Sequence, residues 1–165
     1  MKLKPLYSSR DVAAITGLSA RQLQWWDRRG VFPPAVPSHR TDRGGFTERR
    51  YTPIELFELM VLADLRRRGF SVARLRRLLA VLRTRFKVRL YEAIEGGGPV
   101  SLFVDGDTIY ARTSSGSLFN LLEQPDQPLL MAGESLRLKA LTAREPRRRH
   151  VRARLRATKR RSSDH

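Results

Sequence analysis

Between Tyr7 and Leu82 the apolar residues fall into four runs at helical spacing, separated by glycine turns and arginine-rich stretches. Ser8 followed three positions later by Asp11 reads as a capping box, opening a short helix with Val12 and Ile15 on one face. Gly17 breaks that helix. Ser19 with Gln22 opens a second one, in which Leu18 and Leu23 join Val12 and Ile15 as expected core and Gly30 supplies the left-handed stop. Thr52-Pro53-Ile54-Glu55 combines cap, first-turn proline and third-position glutamate, a third helix start. Its apolar face is read from Ile54, Phe57, Val61 and Leu65, and Arg67-Arg68-Gly69-Phe70 ends it. Ser71 caps a fourth helix lined by Leu75, Leu78, Leu79 and Leu82.

Beyond Leu82 the pattern changes. Phe86, Leu90 and Ile94 extend a helix for about three turns before Gly96-Gly97-Gly98-Pro99 stops it. Residues 100 to 133 then alternate with a period of two. VSLFV and DTIYAR flank Asp105-Gly106 and predict a hairpin; SLFNLLE follows as a third strand or short helix. Pro125 and Pro128 bracket a turn before PLLMA as a fourth strand. The fold class expected is α+β: four helices and a small wing hairpin, then a small antiparallel β-rich domain and a disordered basic tail. The expected divisions are a frayed arm at 1–6, a helical domain at 7–86, a small α+β domain at 87–141 and an arginine-rich tail at 142–165.

Two short helices joined by a tight glycine turn form a unit whose second helix can enter the DNA major groove. The segment SHRTDRGGFTERRYTP adds a wing, with Gly44-Gly45 at its turn and Phe46 and Tyr51 on its return strand. The order helix, helix, arginine-rich wing, helix, RRRGFS turn and leucine-lined helix resembles the DNA-binding domain of the MerR family of bacterial transcription regulators. TGLSARQLQWWDRRGVFPP, RRYTPIEL and LRRRGFSVARLRRLL carry the resemblance. It implies a winged helix-turn-helix that binds a palindromic element of double-stranded DNA as a homodimer. Gln24 stands where the family commonly has arginine, and Trp25-Trp26 where it commonly has two tyrosines. Family members also run into a long pairing helix after the fourth, which the glycine run after Ile94 forbids.

The early polar positions of the second helix are the candidates for reading bases, because arginine matches guanine and glutamine matches adenine bidentately. They are Arg21, Gln22 and Gln24, with an ordinary solvated face as the competing reading, and the capping Ser19 joins them in the DNA-binding set. Of Trp25 and Trp26, one packs inward with Leu23 and the other lies against a phosphate or sugar; spacing alone leaves the choice open, and Trp25 enters the candidate set with Arg28. In the wing, Arg40, Arg43, Arg49, Arg50 and Tyr51 are candidates for phosphate or minor-groove contact. The resemblance places a second wing at Arg66 to Ser71, which adds Arg67 and Arg68, with Phe70 packed beneath.

Charge sharpens this picture. The 165 residues carry a net +17. Residues 1–87 hold 19 basic and 7 acidic groups, residues 88–141 hold 4 and 7, and residues 142–165 hold 10 and 2. Positive charge confined to two blocks is how a polyanion footprint looks. The terminal block, TAREPRRRHVRARLRATKRRSSDH, is too densely charged to fold alone and suits sequence-independent phosphate contact.

Other chemistries find little support. No cysteine is present, which removes disulfides, thiolate metal sites and thiol switches. His39 has no partner at ligand spacing, so no metal and no cofactor are expected. Asp105, Asp107 and Glu123 are carboxylates that could serve catalysis or bind a cation, and turn chemistry explains Asp105 and Asp107 better. No catalytic set and no phosphate-cradling glycine loop is found. With no apolar run long enough to span a bilayer and no signal-type core after Met1-Lys2, the expected location is cytoplasmic and nucleoid-associated, with no membrane partner. The expectation is a sequence-specific DNA-binding regulator and not an enzyme. The alternatives are an architectural DNA binder resembling excisionases or partition proteins, and an adaptor whose residues 88–141 bind a protein or small molecule.

Overall fold

The computed structural model describes residues 3–94 and 98–129. The expected tail at 142–165 and residues 130–132 of the PLLMA segment lie outside them. The chain forms β1 (Tyr7–Ser8), α1 (Ser9–Thr16), α2 (Ala20–Arg28), β2 (Arg50–Tyr51), α3 (Pro53–Arg67), α4 (Val72–Val81), one π-helical turn (Leu82–Phe86), α5 (Leu90–Ile94), and strands β3 (Val100–Asp105), β4 (Thr108–Thr113), β5 (Leu118–Asn120) and β6 (Gln124–Pro128). This is an α+β fold with the helices first and a four-stranded antiparallel sheet after them.

The helix starts follow directly from local chemistry. Ser8, Ser19, Thr52 and Ser71 each accept a bond from the backbone N–H three residues on, and α1, α2 and α3 carry complete capping boxes. At α1 the box and a salt bridge from Lys4 combine at Asp11, whose carboxyl is held below the usual range first by the Ser8 backbone N–H and then by Lys4. Lys4 also donates its backbone N–H to the Tyr7 hydroxyl, which ties Lys4 to the start of the helical layer. Helices α2 and α3 end alike. Gly30 and Gly69 take positive φ, and the backbone N–H groups of Val31 and Phe70 reach back to the carbonyls of Trp26 and Leu65.

The core runs without a break through both layers. Val12, Leu23, Trp26, Leu59, Leu62, Leu75, Leu78 and Leu82 pack together, and the cluster continues through Leu90 to Val100, Ile109, Ala111 and Phe119 of the sheet. A compact unit bounded by Met1 and Leu129 results. The boundary expected after residue 86 falls inside it, where Lys87 adopts φ 58 and breaks the helix. Phe86, Leu90 and Ile94 therefore do not share one helix. Phe86 instead meets Phe119 edge to face at 5.4 Å, joining the helical layer to the sheet.

Several expectations about faces are corrected. In α3 the buried apolar positions are Leu56, Leu59, Leu62, Ala63 and Leu65, whereas Ile54 is 41% exposed and Phe57 and Val61 are only half-buried. The helix is apolar around most of its circumference, so more than one stripe fits the spacing. In α1 the inward pair is Val12 and Thr16; Ile15 is exposed. Thr16 is accommodated because its hydroxyl donates to the Val12 carbonyl at 2.7 Å and accepts from the Leu18 N–H. In the sheet, Asp105 pairs with Thr108, so the hairpin turn is centred on Gly106-Asp107, one residue later than expected. The fourth strand is Gln124–Pro128, the stretch that two prolines marked as a turn. Among the described residues it lies at the sheet edge and pairs only with β5, where a missing N–H is tolerated.

Candidate nucleic-acid interface

Helix α2 is held from one side only. Leu23 and Trp26 are 1% and 2% exposed and anchor its inner face, which settles the orientation of the two tryptophans: Trp26 goes in, Trp25 goes out. At 100° per residue, Arg21, Gln24, Trp25 and Arg28 then lie on the opposite side. Arg21, Trp25 and Arg28 are exposed and Gln24 is partly so. Gln22 sits on the flank. It is exposed, but its Oε1 accepts the Ser19 N–H at 2.8 Å while Ser19 Oγ accepts the Gln22 N–H at 3.0 Å. Both residues thus fix the helix start, whatever else they touch.

The wing is a hairpin made from residues 36–41 and 45–50. Val36 and Arg50 exchange backbone bonds at its base, and Thr41 N–H to Gly45 carbonyl closes its tip at 2.7 Å. The return strand continues into β2, which pairs with β1 at the chain start. Arg40, Arg43 and Arg50 are exposed. Arg49 is not: its Nε donates to Asp27 Oδ2 at 2.6 Å, with both side chains about four-fifths buried. The pair spans 22 residues of sequence and ties the wing to the end of α2.

Tyr51, expected as a contact residue, is fully buried. This corrects the expectation: a side chain with no accessible surface cannot meet a ligand without unfolding its surroundings. Among the described residues its buried hydroxyl makes no hydrogen bond of normal geometry, with only a weak approach from Ser9, and burial pushes its pKa up to about 12.

At the α3–α4 turn, Phe70 is buried beneath the backbone as expected. Arg66 Nη1 donates to the Phe70 carbonyl at 2.6 Å, and Arg67 Nη1 donates to the Thr16 carbonyl at 3.0 Å, at the turn between α1 and α2. Arg68 pairs with Asp64 at 2.9 Å. Arg67 and Arg68 remain more than half exposed, so their guanidinium groups brace the fold and still face solvent.

Three features had no place in the expected set. Arg29 lies 5.5 Å over the Trp25 ring, an i, i+4 pairing that the spacing itself offered. Asp27 is the anchor of the wing, with no local signal to announce it. Glu58, 3% exposed on the inner side of α3, accepts from Arg89 Nη2 at 2.6 Å and from the Tyr91 N–H at 3.3 Å. Donating to Glu58 holds Arg89 protonated more firmly than a free guanidinium, and the pair clamps α5 to α3. Among the described residues no cluster of metal-ligating side chains occurs, and no helix is long and apolar enough to cross a membrane.

An anchored helix with an outward polar face, a short glycine turn before it and a braced basic hairpin after it define a winged helix-turn-helix. Residues 7–82 match the family described as MerR HTH family regulatory protein. The chain is 28% identical over 117 residues to uncharacterised HTH-type transcriptional regulators of Mycobacterium bovis (Mb1861) and Mycobacterium tuberculosis (Rv1830). The match covers 71% of this chain and 48% of each relative, so the chain spans about half the length of the curated relatives it matches. Among solved structures, a MerR family transcriptional regulator from Bacillus cereus aligns at 20% identity, with a TM-score of 0.36 over 46% of this chain and 52% of that one. HiNmlR, a MerR family regulator lacking the sensor domain, bound to promoter DNA, aligns at 29% identity, with a TM-score of 0.35 over 46% and 56%.

Proposed function

We propose that this protein is a sequence-specific double-stranded DNA-binding regulator of transcription, acting as a homodimer on the nucleoid in a binding and not a catalytic role. The observation that carries the reading is the face of α2. Arg21, Gln24, Trp25 and Arg28 project from a helix locked by Leu23 and Trp26, beside a wing that the Asp27–Arg49 bond fixes in place. In this reading Arg21 and Gln24 meet base edges, while Arg28, Arg40, Arg43, Arg50, Arg67 and Arg68 meet phosphates. Ser19 and Gln22 set the helix start against the groove, and the Trp25 indole N–H donates to the backbone. The regulator class of the Mycobacterium relatives supports the transcriptional role.

Selection of bound fragments from random DNA by the full chain tests it. The expected product is one motif with two inverted half-sites, bound with an affinity that falls by about 0.9 log units per neutralised phosphate for each tenfold rise in salt. Recovery of fragments with no common motif refutes it.

One observation favours a second reading. Helix α5 ends at Ile94 after five residues and a sheet follows, where the family resemblance implies a long pairing helix. An architectural DNA binder that bends or bridges duplexes fits that shape, and bridging of long DNA without any change in run-off transcription is its signature.

A further inference from the structure

The wing carries a side chain that neither the helix-turn-helix nor the core uses. Phe46 is 74% exposed at the hairpin tip. A single exposed apolar residue is ordinary on a protein surface; its setting here is not. The Thr47 N–H donates to the His39 carbonyl at 2.8 Å and the Thr41 N–H to the Gly45 carbonyl at 2.7 Å, which makes Arg40 and Phe46 the non-hydrogen-bonded pair between those two bonds. Side chains of such a pair stand on one face at close approach. An aromatic ring and a guanidinium therefore leave the tip side by side.

The tip is also stiff and thin. Gly45 N–H donates to Thr41 Oγ1, Gly44 N–H to the Thr41 carbonyl, and His39 N–H to Thr47 Oγ1, all within 3.1 Å. Gly44 holds φ 83 with open space where a Cβ would stand. Between Thr41 and Phe46 only Asp42 and Arg43 carry side chains, so little bulk at the turn surrounds the ring.

We propose that Phe46 is a wedge: the wing enters the minor groove, Phe46 inserts between two neighbouring base pairs, and Arg40 beside it lies along the groove floor. Apolar wedges of this kind unstack a base step and kink the duplex toward the major groove. The inference rests on the DNA-binding reading above and adds to it a deformation of the DNA, placed at the wing and independent of α2.

The test uses the full chain and the duplex recovered by selection, with 2-aminopurine placed in turn at each step flanking the half-site. Wild-type protein is expected to raise the fluorescence at one step and to bend the duplex, read by energy transfer between its ends. Phe46→Ala is expected to abolish both signals and to weaken binding roughly tenfold, the scale of one aromatic–base stacking contact. It keeps the same motif and the same salt slope, because no charge is removed. Its melting temperature stays at the wild-type value, because the ring makes no core contact. Unstacking and bending by Phe46→Ala equal to wild type overturn the wedge. So does a wild-type complex in which no 2-aminopurine brightens, with the DNA-binding reading left standing. If wild type recovers no duplex motif at all, both fall together.

Discussion

Asp27 offers a test in which electrostatics and architecture predict opposite signs. Its carboxylate lies at the end of α2, so replacing it with asparagine removes a negative charge from a surface proposed to face phosphates. If charge alone mattered, Asp27→Asn would bind DNA more tightly. The structure instead makes Asp27 the acceptor of a 2.6 Å bond from Arg49 Nε, with the two side chains 20% and 19% exposed. A hydrogen bond between charged groups is worth about 1.5–3 kcal/mol, and a single-point contact with partial exposure belongs at the lower end. A double-mutant cycle of Asp27→Asn and Arg49→Gln should give a coupling of about 1.5 kcal/mol in chemical unfolding. That corresponds to a loss of roughly 5 °C in Tm for a chain of this size. Binding to the selected duplex should fall about fivefold for Asp27→Asn, because the wing loses its tether to α2 and must be ordered on the DNA. A gain in affinity for Asp27→Asn, or a coupling near zero, refutes the brace and returns Arg49 to the set of simple phosphate contacts.

Tyr51→Phe removes a buried hydroxyl that makes no hydrogen bond of normal geometry among the described residues, so stability should stay level or rise by about 1 kcal/mol, with DNA binding unchanged; a fall in affinity would mean that Tyr51 reaches the ligand after all. Its ionisation gives a matching pH prediction. Below pH 10 both folded and unfolded chains hold the proton and stability is complete; between pH 10 and about 12 only the unfolded chain releases it, so stability declines through that window. Tyrosinate absorbance should show one group titrating near 12 that disappears in Tyr51→Phe. At the α3–α5 clamp, Arg89→Ala leaves the Glu58 carboxylate buried with only the Tyr91 N–H and should cost roughly 3 kcal/mol. Glu58→Gln keeps neutral hydrogen bonds and leaves a half-exposed arginine free to reach water, so it should cost about 1 kcal/mol; equal costs in chemical unfolding would contradict the asymmetry. Ser19→Ala removes the α2 cap and should cost about 1 kcal/mol, measured as a drop in Tm.

What the sequence made legible was what short-range chemistry controls. The four cap residues, the stops at Gly30 and Gly69 and the Asp-Gly hairpin each depend on neighbours within five positions, and all appear in place to within a residue. The choice between Trp25 and Trp26 depended on which side of α2 met the rest of the core, and α3 offered more than one apolar stripe to its neighbours. Neither is decided by spacing alone. Asp27 with Arg49 and Glu58 with Arg89 lie 22 and 31 positions apart, and each member in isolation reads as one more surface charge. Tyr51 was misplaced for a related reason. It lies close behind the exposed wing residues Glu48 and Arg50, but pairs with Tyr7 in a two-stranded ribbon that turns it into the core. At β6 the two prolines were sound turn signals, overridden because an edge strand needs bonds from one side only.

The central claim is that α2 reads bases while the wing holds the backbone. The most direct measurement is repeated selection from random DNA with wild type, Arg21→Ala and Arg43→Ala, each followed by affinity across a salt series. Arg21→Ala should relax the preference at one symmetric pair of positions, at a cost of about 1–3 kcal/mol for the wild-type motif. Arg43→Ala should keep the whole motif, weaken all sequences alike and lower the salt slope by about 1. An unchanged motif for Arg21→Ala, or a motif altered only by Arg43→Ala, would contradict the account.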